Sequence, residues 1–175
     1  MAAGAKRGAT EMARGLEQMA RGIQQMAQGS ATAVPFEALV ALLPEISGWS
    51  RTEPRGETVS RPVTYSRAEA RYSMGEGRLR LEITDTAFSP VLIAPVKMFL
   101  APGYAERSAD GFKRAATIGG HPATEDWNAR SKHGEVTVLV GERFLVKASG
   151  DDVPSVDVVR KAVEAVDLGK LAALK

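Results

Sequence analysis

GEVTVLVGERFLVKASG, residues 134–150, contains two runs in which apolar residues occupy every second position. Such alternation is typical of strands that bury one face. Gly141 and Glu142 lie between the runs and predict a tight turn. The buried face predicted for the two strands consists of Val136, Val138 and Val140, followed by Phe144, Val146 and Ala148. This stretch therefore predicts an antiparallel hairpin.

Two further strands are predicted just before this hairpin. Residues 112–118 alternate, GGHP at 119–122 predicts a turn, and residues 123–129 alternate again. The second strand has Ala123, Glu125, Trp127 and Ala129 on one face. Consecutive strands with short links are usually antiparallel neighbours, so residues 112–148 predict a four-stranded meander.

A separate hairpin is predicted upstream. Residues 65–72 and 79–83 alternate on either side of a glycine-rich turn at 74–77. Residues 51–62 are rich in Pro, Gly, Glu and Arg without periodicity, and predict an exposed loop. The two hairpin regions together give six strands.

Three helices are predicted around these strands. The first begins after Pro35 and buries residues at helical spacing, and the last begins after residues 151–154. The middle segment, 90–100, is apolar nearly all round, so it is either deeply buried or a partner-binding surface. The predicted fold class is α+β, with a six-stranded antiparallel sheet covered by helices.

The N-terminal part repeats every seven residues: AKRGATE, MARGLEQ, MARGIQQ and MAQGSAT, residues 5–32. Its apolar rows have coiled-coil spacing, and small residues flank them. We predict that the segment is a helix that self-associates. The predicted contact residues are Met12, Gly15, Leu16, Met19, Gly22, Ile23, Met26 and Gly29.

Glycine in a helix costs roughly 1 kcal/mol relative to alanine, so this helix needs a packing partner. Three alternatives stay open: a flexible tether, a helix that packs on its own domain, and a helix at a membrane surface. The predicted domain organisation is a heptad helix and hinge at 1–34, then an α+β domain at 35–175.

Composition excludes several classes of protein. The 175 residues are 44% hydrophobic and 25% charged, which suits one domain with an appendage. A net charge of +2 with interspersed signs argues against nucleic-acid binding. The chain has no Cys and no apolar run of transmembrane length. Compartment stays open: cytoplasmic, or periplasmic or extracellular if a leader has been removed.

Little in the sequence indicates catalysis. His121 and His133 are predicted in exposed turns, without partners at metal-binding spacing, and no nucleophile motif is present. We therefore expect no enzyme activity, no cofactor and no metal. Glu125, Trp127 and Asn128, together with Tyr65 or Tyr72, are candidates to line a groove on the sheet.

Four stretches carry a resemblance: PEISGW at 44–49, TIGGHPATEDW at 117–127, GEVTVLVGERFLVKASG at 134–150 and the closing helix. Residues 36–169 resemble the PsbP-like sandwich, and with ITDT at 83–86 they also look like an uncharacterised family of exported bacterial envelope proteins. The resemblance implies a non-catalytic domain that binds other proteins. The lipid-accepting Cys of the lipoprotein members is absent.

The sequence thus predicts a structural or protein-interaction subunit that self-associates through its heptads, with a possible partner at the apolar helix 90–100. The alternative is a soluble envelope domain that binds a small ligand or a protein, with the N-terminal segment as a tether.

Overall fold

The computed structural model describes Glu17 and residues 31–175. Glu17 is helical and exposed. In residues 31–175 the helices are α1 (Phe36–Val40), α2 (Pro90–Lys97), α3 (Val156–Glu164) and α4 (Leu168–Ala172). The strands are β1 (Ser50–Arg51), β2 (Arg55–Val59), β3 (Tyr65–Met74), β4 (Gly77–Asp85), β5 (Ala105–Arg107), β6 (Gly111–Ile118), β7 (His121–Asn128), β8 (His133–Val140) and β9 (Phe144–Asp151).

These strands form one antiparallel sheet in the order β1-β3-β4-β9-β8-β7-β6-β5. The short strand β2 also pairs with β3, on the same side as β1. Two meanders, β3–β4 and β6–β9, meet where β4 pairs with β9. The hairpins predicted around residues 74–77 and 141–142 are confirmed by this register.

One face of the sheet carries the core. Alternate side chains of β4, β8 and β9 are fully buried on this face, where α3 packs against the same strands. Gly134 and Gly150 are cross-strand partners beneath Val159 of α3. A Cβ at Gly150 would lie 2.8 Å from Val159 Cγ2, and one at Gly134 would lie 3.1 Å away. The paired glycines form a notch that lets the helix approach the sheet closely.

The opposite face is lined by charged side chains over β2, β3, β4 and β9. Ion pairs link neighbouring strands there, including Arg67 with Glu57 and Arg80 with Glu69. Glu69 is mostly buried among these groups, with 17% of its side chain exposed. Burial raises the pKa of Glu69, but hydrogen bonds from Arg71 and Arg80 lower it by more, so its pKa lies below the ordinary value.

The prediction of a six-stranded sheet covered by helices is wrong. In residues 31–175 the sheet has nine strands, the helices are short, and the sheet dominates the fold. The additional strands are β1, β2 and β5, and β2 lies in the segment predicted as an exposed loop. All three are short edge strands with mostly exposed residues. A strand without a buried face has no hydrophobic alternation, so the sequence pattern does not reveal it.

The heptad helix of that prediction, with its contact residues from Met12 to Gly29, lies outside the described residues apart from Glu17. The division between 1–34 and 35–175 stays a prediction. Residues 33 and 34 are buried against the domain.

Candidate functional site

The connection from β4 to α2 has an unusual backbone. Ala87 and Phe88 have positive φ angles of 49° and 60°. Such angles cost a non-glycine residue about 1–3 kcal/mol. Hydrogen bonds hold the connection in place: the Ala87 N–H donates to Asp85 Oδ1 at 2.8 Å, and the Ser89 N–H donates to the Thr86 carbonyl at 2.8 Å. Backbone strain next to an exposed aromatic ring indicates a candidate functional position.

A buried ion pair lies beneath this connection. Arg143 follows β8, and its guanidinium donates to both oxygens of Asp85, at 2.8 Å each. Asp85 is fully buried and Arg143 is 7% exposed. The Val34 N–H also donates to Asp85, and Arg143 also donates to the Thr32 carbonyl. The pair therefore joins the end of β4, the β8–β9 turn and the first described residues of the domain.

Apolar side chains are exposed around α2. Phe88 is 46% exposed, Val91 49% and Met98 68%, and we call these three residues the α2 surface. Within α2 itself only Ile93 is buried. Of the two alternatives for segment 90–100, deep burial is therefore wrong.

Phe88 of the α2 surface also lines a shallow hollow of about 260 Å³. Its lining is Phe88, Pro90, Ile93, Ala94, Lys97 and Glu142. Lys97 and Glu142 form an ion pair at its rim. The hollow is smaller than the roughly 300–1,000 Å³ typical of small-molecule sites, and its size suits a side chain of a bound segment better.

The described domain begins beside this surface. The N–H of Ala31 donates to the carbonyl of Ala87 at 3.0 Å, one residue before Phe88. The heptad segment therefore joins the domain next to the α2 surface.

The predicted groove residues are only partly brought together. Trp127 and Asn128 border a hollow of about 180 Å³ near the β5 edge, and Glu125 is not part of its lining. Glu125 is fully buried, with Arg114 Nε at 2.9 Å and an ion pair to Arg160 of α3. The Glu125 carboxylate thus ties β6 and β7 to α3 inside the domain.

The two tyrosines considered for the groove lie elsewhere. Tyr72 is buried and its hydroxyl donates a hydrogen bond to the Pro44 carbonyl at 2.8 Å. The Tyr65 hydroxyl donates a hydrogen bond to the Glu57 carboxylate.

The two histidines lie at the starts of strands. His121 begins β7, and His133 begins β8 with its Nδ1 2.8 Å from Asp151 Oδ1. Among the described residues, no group of three His, Cys, Asp or Glu side chains is placed to hold a metal ion. No helix in the described part of the chain has the length and apolarity needed to cross a membrane.

Sequence reasoning missed Asp85, Arg143 and Phe88. A signal for Asp85 was available, because it continues the buried series Leu79, Leu81 and Ile83 at the same spacing. An acid on a buried strand face predicts a buried cationic partner. Nothing local identified Arg143 as that partner, since it lies 58 residues away.

Comparisons with known proteins add little. No family model matches the chain, and no curated protein matches it. Among solved structures, the chain is similar to a GTP-binding regulator from Thermotoga maritima, with 9% identity over 77% of this chain and 87% of that one, at a TM-score of 0.37. At that level of similarity the match carries no argument about fold or function. The resemblance to PsbP-like and envelope proteins stays a prediction.

Proposed function

We propose that this chain is a non-catalytic protein-interaction subunit that self-associates through the heptad segment, residues 5–32. The heptad repeat carries the proposal of self-association, and the α2 surface supports a role in protein interaction. Exposed apolar side chains that cluster on a domain are typical of protein-binding sites, and this cluster lies where the heptad segment joins the domain.

The sequence of the segment supports the same function. Its two apolar rows form what we call the heptad seam, Met12, Leu16, Met19, Ile23 and Met26. A helix with this many glycines is unstable alone, because each glycine costs roughly 1 kcal/mol. Packing against another seam supplies the missing stability, and the glycines beside the seam allow close approach of the two backbones.

Sedimentation velocity of the full chain over a range of concentrations tests the proposal. We expect the wild type to sediment faster as concentration rises. A variant with Met19→Glu and Ile23→Glu places two charges in the seam, where burying an unpaired charge costs several kcal/mol. This variant is expected to remain monomeric.

A matched control adds the same charges away from the seam. Gln18→Glu with Gln25→Glu changes two positions that the heptad pattern places on the outer side of the helix. The control is expected to associate like the wild type. A wild type that is monomeric at every concentration, or a seam variant that associates as the wild type does, contradicts the proposal.

A further inference from the structure

We infer that, in the isolated chain, the α2 surface is occupied by the C-terminal half of the heptad seam of the same chain, Met19, Ile23 and Met26. The inference rests on the proposed function, because it gives the association seam a resting place on its own domain. The seam and the α2 surface then mask each other until a second copy displaces the intramolecular contact.

The first argument is the length of the connection. Ala31 is held at the Ala87 carbonyl, beside Phe88. Met26 is five residues earlier, and five extended residues span at most about 17 Å. The eight residues of α2 are only about 12 Å long, so Met26 can reach any part of the helix.

The second argument is the match in size and chemistry. In a helix, the interval from Met19 to Met26 spans about 10 Å, close to the length of α2. The α2 surface offers an exposed aromatic ring, a branched aliphatic side chain and a flexible thioether, and the ring of Phe88 also lines a mostly apolar hollow. Methionine side chains adapt to irregular apolar hollows of this kind.

The third argument is effective concentration. A segment on a short tether meets its site at an effective concentration on the order of millimolar. A second copy of the chain at micromolar concentration presents its seam at a concentration about a thousandfold lower. An intramolecular contact of even modest intrinsic affinity therefore forms first.

This arrangement predicts that charged substitutions on the α2 surface strengthen self-association instead of weakening it. If the α2 surface holds the seam about nine-tenths of the time, only about a tenth of the chains present an undocked seam. Val91→Glu with Met98→Glu removes the resting place and leaves the seam intact. The double variant is then expected to associate at least about tenfold more tightly than the wild type.

Limited trypsin digestion measures the intramolecular contact directly. Arg14 lies before the docked half of the seam and Arg21 lies within it, and mass spectrometry identifies the fragments that begin at Gly15 and Gly22. At a concentration where sedimentation shows monomers only, cleavage after Arg21 is expected to be about tenfold faster in the Val91→Glu, Met98→Glu variant than in the wild type.

Met74→Glu is the matched control. Met74 is 49% exposed, as Val91 is, but it is the last residue of β3 and pairs with Gly77, at the end of the β3–β4 hairpin away from Asp85. Its variant is expected to match the wild type in both measurements. Thermal melts of all variants check that the domain stays folded, which we expect because each changed side chain is about half exposed or more.

Three outcomes overturn the inference. Equal cleavage rates in wild type and α2 variant mean that the seam does not rest on this surface. Weaker association of the α2 variant means that the surface belongs to the contact between copies. Where the wild type associates, unchanged association of the α2 variant means that the surface takes no part. The digestion is informative even if the wild type never associates, so failure of the proposed function and failure of this inference are distinguishable.

Discussion

Arg143 and Asp85 face each other in the interior, 58 residues apart in sequence, with both carboxylate oxygens accepting from the guanidinium at 2.8 Å. Both side chains are almost completely removed from water. A buried pair of this kind adds little net stability, but removing one partner leaves an uncompensated charge. It fixes which segments meet: the turn after β8, the end of β4 and the residues that connect the heptads to the domain.

Arg143→Met is expected to lower the free energy of unfolding by about 3–5 kcal/mol, because Asp85 stays buried without its cation. Urea denaturation measures the loss. Adding Asp85→Asn to that variant removes the charge and is expected to recover part of the loss. A single variant within about 1 kcal/mol of the wild type contradicts this account of the pair.

Gly150→Ala is expected to destabilise the domain by about 1–3 kcal/mol through overpacking. The added Cβ would lie 2.8 Å from Val159 and 3.0 Å from Leu79. Gly169→Ala, within α4, is the control. Its added Cβ would lie 3.4 Å from the nearest atom, Asp167 Oδ1. That change is expected to be neutral or to stabilise by up to about 1 kcal/mol. Chemical denaturation of both variants checks the contrast.

Glu69→Gln is expected to lower stability by about 1 kcal/mol at pH 7, since it weakens the contacts with Arg71 and Arg80. Because folding lowers the pKa of Glu69, its carboxylate stabilises the fold at pH values above its unfolded pKa. That contribution is lost as pH falls through the folded pKa. The gap between wild type and variant in thermal melts should therefore close in acid, and a gap that widens there refutes the assignment.

His121→Gln with His133→Gln is expected to leave stability within about 1 kcal/mol of the wild type, because the contact between His133 and Asp151 is exposed. Association measured by sedimentation is expected to be unchanged as well. Loss of association by a double variant that melts like the wild type would assign these histidines a role that the proposed function does not contain.

The sequence predicted the parts of the fold that have a regular pattern. Strands β4 and β9 alternate because one face of each is buried, β8 is buried on both faces from residue 136 to residue 140, and α3 shows its buried valines at helical spacing. Strands β1, β2 and β5 have no buried face and gave no pattern.

The candidate site was predicted only in outline. The apolar pattern of residues 90–100 is the same for a buried helix and for an exposed one, so the sequence left both alternatives open. The exposure of Phe88 depends on two left-handed residues before α2, and these depend on Asp85 and its distant partner. Alternation and spacing carry no information about such long-range contacts.

Gly22→Leu, measured by sedimentation equilibrium beside the wild type and Gly22→Ala, tests most directly the claim that the chain self-associates through close-packed heptads. Leucine and alanine each raise helix propensity by roughly 1 kcal/mol, but leucine blocks close approach at the seam. We predict that Gly22→Leu alone loses association, while Gly22→Ala still associates and shows a gain of helix by circular dichroism. A monomeric wild type, or a Gly22→Leu chain that assembles as well as the wild type, would contradict the claim.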